Sequence, residues 1–155
     1  MAVFVFKLDA VLRHRERIEK DRYRELSIRD AEMKRLESEL KTLNQELEGS
    51  TADVRDHHLV GRLDMRYLAA HRRYMLGMQR KVLALAQKMT HQQKLVDDAR
   101  RALFEASKQR KILEKLRERQ HLRWNDAQAR REANDLDEIV AQMSFHQIEQ
   151  AEVQS

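Results

Sequence analysis

The chain of 155 residues contains no proline, no cysteine and only three glycines, Gly49, Gly61 and Gly77. Because proline breaks an α-helix and glycine loosens it, few positions are available where a helix can end. The lack of cysteine excludes disulfide bonds and thiol catalysis. Aromatic residues make up 5% of the chain, fewer than a globular domain of this length normally carries. These absences favour long helices with a thin apolar seam over a compact domain with a pocket.

Long apolar segments are also absent. The short apolar stretch at residues 3–6 is followed at once by charge, so it is too short for a signal sequence or a membrane span. We therefore expect a soluble protein. The chain has 31 basic and 26 acidic residues and a formal net charge of +5. Most of these charges are expected to be solvated helix faces, and a basic nucleic-acid-binding protein is the less favoured alternative.

Apolar residues recur at alternating spacings of three and four, which is typical of a coiled coil. The first seam comprises Met33, Leu36, Leu40, Leu43 and Leu47, and the second runs from Leu63 to Leu113. We predict an all-α fold in which two long helices form an antiparallel coiled-coil hairpin, with helix 2 longer than helix 1. The expected single domain, 1–155, has helix 1 at about 8–48, a turn at about 49–62, helix 2 at about 63–143 and a flexible C-terminal tail at 144–155.

The turn is predicted at Gly49–Gly61 because periodicity is weak there, and not at Gly77, where the apolar seam continues unbroken. With this turn, Leu36, Leu40 and Leu43 should pack against residues of about 63–85, and Leu40 should lie close to Tyr67–Tyr74. Asp9 is a candidate cap or first-turn acid of helix 1, and Asp53 or Asp64 is a candidate cap of helix 2.

The seam is polar towards the N-terminus, where Arg15, Glu19, Arg22 and Arg29 stand at seam positions. Either this end frays or another protein completes it. Because helix 2 is about twice as long as helix 1, the segment beyond about Leu103 is expected to overhang the N-terminus without an intramolecular partner.

Two groups of residues are candidate partner-binding surfaces. The first is a basic surface at the end formed by residues of about 8–29 and 103–140; it comprises Arg13, Arg15, Arg17, Arg22, Arg117, Arg119 and Arg123. These arginines either contact a partner or only solvate the helices. The second comprises Tyr67, Tyr74 and Met78, which share one helical stripe near the turn. They either pack in the core against Met33–Leu47 or form a contact patch.

No catalytic constellation is present. The chain lacks a phosphate-binding loop, a zinc-protease motif and a cysteine nucleophile. The adjacent His57 and His58 point in different directions on a helix and lack further ligands, so surface residues are favoured over a metal site. We therefore predict no catalytic residue, no cofactor, no metal site, no small-molecule ligand and no nucleic-acid partner.

Three segments resemble the flagellar FliJ family. They are the opening FVFKLDAVLRHRE at residues 4–16, KILEKLRER at residues 111–119 and NDLDEI at residues 134–139. Each is weak as a local pattern because coiled coils look alike, but their order and separation are more specific. The resemblance covers nearly the whole chain.

The resemblance implies a non-enzymatic component of the flagellar type III protein export apparatus. Members of the family are similar to the central stalk of rotary ATPases and insert their terminal end into the hexameric export ATPase. They also contact the membrane export gate, expected here nearer the turn, and export chaperones. The implied location is cytoplasmic, with peripheral association at the inner membrane of the flagellar base. A stalk of a non-flagellar type III secretion system and a generic scaffolding coiled coil remain the alternatives.

Overall fold

The computed structural model describes the backbone of residues 3–153 and the side chains of residues 3–144. Helix α1 spans Asp9–Asp53 and continues directly into five residues of π-helix, Val54–His58. Helix α2 spans Met65–Val153. The predicted all-α hairpin of two long helices, with the second longer than the first, is confirmed.

The two helices are joined by a short turn at residues 59–64, later than the centre of the predicted turn. Gly49 lies inside α1, where a helix tolerates it. Gly61 has a φ of 88°, a left-handed conformation that strains any residue with a Cβ atom. The chain therefore reverses at Gly61, and the segment from Gly49 to Asp53 remains helical.

Asp64 caps the start of α2, so the second of the two predicted caps is the observed one. Its Oδ1 accepts hydrogen bonds from the backbone N–H groups of Arg66, at 3.0 Å, and Tyr67, at 3.2 Å. These are N–H groups that have no partner within the helix. Asp53 instead lies at the junction of α1 and the π-helix and makes no such cap. A turn at Gly77 is excluded because Gly77 is interior to α2.

Helix α2 runs past the expected end at residue 143 and reaches Val153. No glycine or proline follows Gly77, so nothing in the sequence terminates the helix at 143. The side chains of the expected tail beyond Ser144, and the backbone of its last two residues, lie outside the described residues. The flexibility of that tail stays a prediction.

The chain divides into two compact units, and each contains part of both helices. The turn unit is Arg17–Ser107, and the terminal unit is Met1–Glu16 together with Lys108–Ser155. The predicted single domain over the whole chain stays a prediction.

In the turn unit, three hydrogen bonds fix the antiparallel register of the helices. Ser50 Oγ lies 3.4 Å from His71 Nδ1, Gln92 Nε2 donates to the Arg29 carbonyl at 2.9 Å, and Ser107 Oγ donates to Glu19 Oε1 at 2.6 Å. The buried side chains between them are mostly apolar. They are Leu36, Met78, Leu85, Val96, Ala99 and Ala106, and Gln92 is the buried polar side chain among the described residues.

This register corrects the expected position of Leu40. Since Ser50 faces His71, a residue ten positions before Ser50 faces a residue about ten positions after His71. Leu40 therefore lies across from about residue 81, and its expected proximity to Tyr67–Tyr74 is wrong. The cause is the later turn, which moves every partner on α2 towards the C-terminus.

Two of the polar seam positions of α1, Glu19 and Arg29, are contacted by polar side chains of α2 in the turn unit. Gln92 reaches the carbonyl of Arg29, and Ser107 reaches Glu19. Next to the seam, Arg100 and Asp30 approach to 3.7 Å. Buried polar groups need such partners because desolvation without a hydrogen bond is costly. The seam side chain of Glu19 thus has a partner on α2, whereas at Arg29 the partner on α2 bonds to the backbone carbonyl.

In the terminal unit, the segment before α1 packs onto α2 far beyond residue 103. Phe6 and Leu12 are buried, and the ring of Phe4 meets those of His121, at 5.0 Å, and Trp124, at 6.1 Å. The expectation of an overhang starting near Leu103 is therefore wrong. Every described side chain from residue 129 to residue 144 is exposed, so the part of α2 without an intramolecular partner begins after Gln128.

Candidate partner-binding surfaces

The predicted basic residues lie at the surface but in different units. Arg117, Arg119 and Arg123 of α2 are exposed in the terminal unit, together with Arg13, while Arg15 is half-buried there. Arg13 forms an ion pair with Asp9 at 2.5 Å. Such exposed pairs contribute about 0–1 kcal/mol, so the guanidinium of Arg13 can exchange Asp9 for a partner at low cost.

Arg17 and Arg22 belong to the turn unit and are exposed. Arg22 Nη1 donates to Glu25 Oε2 at 2.9 Å, one helical turn further along α1. The seven arginines are therefore available at the surface, Arg15 in part. That they act together on one partner stays a prediction.

An aromatic cleft in the terminal unit was not anticipated from the sequence. Phe4, His121 and Trp124 form its walls, and it encloses about 860 Å³. His121 and Trp124 stand three residues apart on α2 and stack with their ring centroids 6.2 Å apart. The remaining lining residues are Val3, Glu114, Arg117 and Glu118. The cleft joins apolar surface to one of the predicted arginines, an arrangement suited to a protein partner.

The aromatic residues beside the turn divide between core and surface. Met78 is 4% exposed and packs in the core, whereas Tyr74 is 47% exposed. Tyr67 is half-buried and stacks on His58 with a centroid distance of 3.8 Å. Of the predicted patch, the two tyrosines keep accessible surface and Met78 follows the core alternative; that the tyrosines bind a partner stays a prediction.

The turn adds apolar surface that sequence reasoning overlooked. Leu59, Val60 and Leu63 in the turn and Met65 at the start of α2 are all more than half exposed. Contiguous exposed apolar surface is typical of interaction sites, and these four residues are close together in the sequence. Together with Tyr67 and Tyr74, they make the turn a second candidate surface.

The two adjacent histidines take part in local polar contacts. His57 Nδ1 lies 3.2 Å from Asp53 Oδ1, and His58 Nε2 lies 3.8 Å from Asp53 Oδ2. Across the side chains that are described, no group of three or more histidine, aspartate or glutamate residues has a geometry that could hold a metal ion.

The aromatic cleft could have been predicted from the sequence if the position of the turn had been known. Phe4 belongs to the short apolar lead, and Trp124 is the only tryptophan in the chain. Their meeting depends on the register, which depends on the turn. With a turn near residue 55, the apolar N-terminal segment would face residues near 103 instead of His121 and Trp124.

No helix among the described residues is both long and apolar enough to cross a membrane. Comparison with curated proteins gives no match, and comparison with solved structures gives none either. A model of the family described as "Flagellar FliJ protein" matches residues 4–149. That match includes both long helices almost entirely and all three sequence segments that resemble the family. The chain therefore belongs to the FliJ family and has a role in flagellar protein export.

Proposed function

We propose that the chain is a non-enzymatic stalk and adaptor of the flagellar type III export apparatus. In this proposal the terminal unit binds the export ATPase ring, and the surface around the turn binds the membrane export gate. Export chaperones are further partners. The protein acts in the cytoplasm, peripherally associated with the inner membrane at the flagellar base, without cofactor, small-molecule ligand or nucleic acid.

The observation that carries the ATPase assignment is the aromatic cleft of the terminal unit. The rings of Phe4, His121 and Trp124 lie beside Arg117, with exposed Arg119 and Arg123 on the same part of α2. Aromatic residues and arginine are the types most enriched at protein interfaces. The cleft supplies apolar contact area, and the arginines supply charge.

Charged, solvated contacts suit a stalk that must turn or shift inside a ring. Each exposed ion pair is worth about 0–1 kcal/mol, so many can be exchanged without a high barrier. A large apolar surface would bind tightly in one position. The exposed arginines of the terminal unit therefore support binding within the ATPase ring through contacts that can exchange readily.

Reversal of four arginines tests the ATPase assignment. In one quadruple variant we change Arg13→Glu, Arg17→Glu, Arg117→Glu and Arg119→Glu. We expect this variant neither to bind the ATPase nor to stimulate ATP hydrolysis. Helix content and Tm should stay nearly unchanged, because all four side chains are exposed. Pull-down, ATPase turnover and circular dichroism measure the three quantities.

The matched control reverses the charge of four different arginines, all of them exposed residues of α2: Arg66, Arg72, Arg73 and Arg80. It makes the same change in net charge but leaves the terminal unit intact. Normal ATPase binding is expected for the control. Equal loss in both variants would indicate a bulk charge effect, and normal binding by the first variant would place the ATPase contact elsewhere.

The gate assignment is tested separately at the turn. Val60→Asp combined with Tyr74→Ala should weaken binding to the soluble part of the export gate by roughly tenfold, since interface aromatic residues commonly contribute more than 1 kcal/mol. ATPase binding should be unaffected. Leu83→Asp is the control, because Leu83 is an exposed apolar residue of α2 away from the turn. Unchanged gate affinity in the double variant would remove the turn from the proposal.

Two alternatives make different predictions. A generic scaffolding coiled coil would bind neither ATPase nor gate. A stalk of a non-flagellar secretion system would prefer the ATPase of that system when both ATPases are offered. The family match to residues 4–149 supports the flagellar assignment over both.

A further inference from the structure

The part of α2 after Gln128 carries an apolar stripe with no intramolecular cover. Its members follow spacings of four, three, four and three along one helix face, and all are exposed: Ala129, Ala133, Leu136, Val140 and Met143. The three larger side chains are each between 62% and 64% exposed. The next two positions of the same series are Gln147 and Gln150 in the sequence. The apolar series is thus about two heptads long.

We propose that this stripe binds the same stripe of a second copy of the chain, as a short antiparallel two-helix coiled coil. In heptad terms, Ala129, Leu136 and Met143 occupy d positions, and Ala133 and Val140 occupy a positions. Antiparallel pairing then sets Ala133 of one copy against Leu136 of the other, and Ala129 against Val140. In this register Met143 lies at the edge of the contact, opposite Asp126 of the other copy. Small residues face large ones at both layers, which lets the helices approach evenly.

The charges beside the stripe favour this partner. In an antiparallel coiled coil, flanking e positions of one helix face e positions of the other. Arg130 and Asp137 are the two e residues of this segment. With the apolar pairing above, Arg130 of each copy faces Asp137 of the other copy. Because the dimer is two-fold symmetric, it contains two of these ion pairs. The g residues, Glu132 and Ile139, face one another and bring no like charges together.

The parallel arrangement of two copies is disfavoured by the same residues. Parallel pairing places each g residue beside the following e residue of the partner. Glu132 would then face Asp137 in both directions, which gives two repulsive carboxylate pairs instead of two ion pairs. The order of charges around the stripe thus selects antiparallel self-association.

The contact is short, so the association is weak and reversible. The mutually paired section, residues 129–140, is roughly 18 Å long, and such a contact is smaller than the standard interface of about 1,600 Å². A concentration-dependent equilibrium between monomer and dimer is expected. The stripe uses other residues than the ATPase-binding surface proposed above, whose aromatic residues and arginines lie at or before Trp124, although both sets belong to the terminal unit.

Charge exchange tests both the contact and its direction. Sedimentation equilibrium of the full chain at low salt should show dimerisation. Arg130→Asp and Asp137→Arg should each weaken it by roughly tenfold or more, since either change replaces two attractions with two repulsions. The double variant Arg130→Asp with Asp137→Arg should restore the wild-type association constant.

Arg131→Asp is the matched control. Arg130 and Arg131 each stand four residues from one aspartate on the helix, Asp126 and Asp135 respectively, so local helix effects are similar. Arg131 occupies an outward f position, and its reversal should leave dimerisation unchanged. Circular dichroism verifies that all variants keep their helix content.

Three results would overturn the proposal. A wild-type chain that stays monomeric up to about 1 mM would show that no second copy covers the stripe. Stronger association of Asp137→Arg would indicate parallel pairing. A double variant as weak as either single variant would show that Arg130 and Asp137 do not face one another.

Discussion

Side-chain size varies in a regular way along the buried face of α2. Large residues, Met78 and Leu85, occupy the part nearer the turn, whereas Ala99 and Ala106 occupy the later part of the turn unit. Small buried residues allow polar partners to reach across, and Ser107 meets Glu19 beside Ala106. Apolar burial therefore contributes most near the turn, and hydrogen bonding contributes more towards residues 92–107.

Two leucines of α2 provide a test of this distribution. Leu85 is 4% exposed and Leu83 is 63% exposed. Leu85→Ala should lower the free energy of unfolding by about 3 kcal/mol, because it removes buried methyl groups and leaves a cavity. Leu83→Ala makes the same chemical change and should alter it by less than about 0.5 kcal/mol. Urea unfolding followed by circular dichroism measures both, and equal effects would contradict the assigned burial.

The turn is the element that sets all pairing between α1 and α2. Gly61 supplies the left-handed conformation, and Asp64 caps the helix that follows. Between them and α1, the π-helix Val54–His58 buries Val54 and closes with a hydrogen bond from the Leu59 N–H to the Val54 carbonyl. These features place the reversal within residues 59–64.

Cross-linking tests the resulting register. The chain has no cysteine, so paired cysteines can be introduced without background. Ser50→Cys with His71→Cys should cross-link rapidly with a short bifunctional reagent, since the native side chains approach to 3.4 Å. Leu40→Cys with Tyr74→Cys should react slowly, because the register separates them by about two helical turns. Faster cross-linking of the Leu40→Cys, Tyr74→Cys pair would indicate that the turn lies near residue 55.

At the scale of the molecule, function depends on surfaces and their charge. The FliJ family is a structural component of flagellar export, and the two candidate surfaces are a basic aromatic cleft and an apolar turn. The net charge of +5 arises from 31 basic and 26 acidic residues. Acidic residues are interspersed among the basic ones along α2, so no continuous basic track is expected.

This charge distribution predicts weak binding to nucleic acids. DNA or RNA affinity should fall steeply with salt, because it depends on counterion release. We expect binding to be lost near 0.15 M salt, where screening acts over about 8 Å. Fluorescence anisotropy with a labelled duplex and a labelled single strand measures it. Tight binding that persists at this salt would contradict the predicted absence of a nucleic-acid partner.

The sequence alone determined the helical character of the chain and its fold class, although not the ends of the helices. Alternating spacings of three and four, together with the absence of proline, are local properties, and helices form from local spacing. Asp64 was likewise recognisable as one of two candidate caps, because its side chain needs only the next few backbone N–H groups. The arginines were identifiable as surface residues because charged side chains are rarely buried unpaired.

Only the tertiary structure decided which residues face each other. In an antiparallel pair, a shift of the turn moves each partner by twice that shift, so a turn centred near Gly61 instead of residue 55 changed every contact by about three helical turns. That change brought Phe4 to His121 and Trp124 and gave the polar seam residue Glu19 its partner Ser107. The local sequence around Gly49 and Gly61 is compatible with either turn, and only packing along the whole seam distinguishes them.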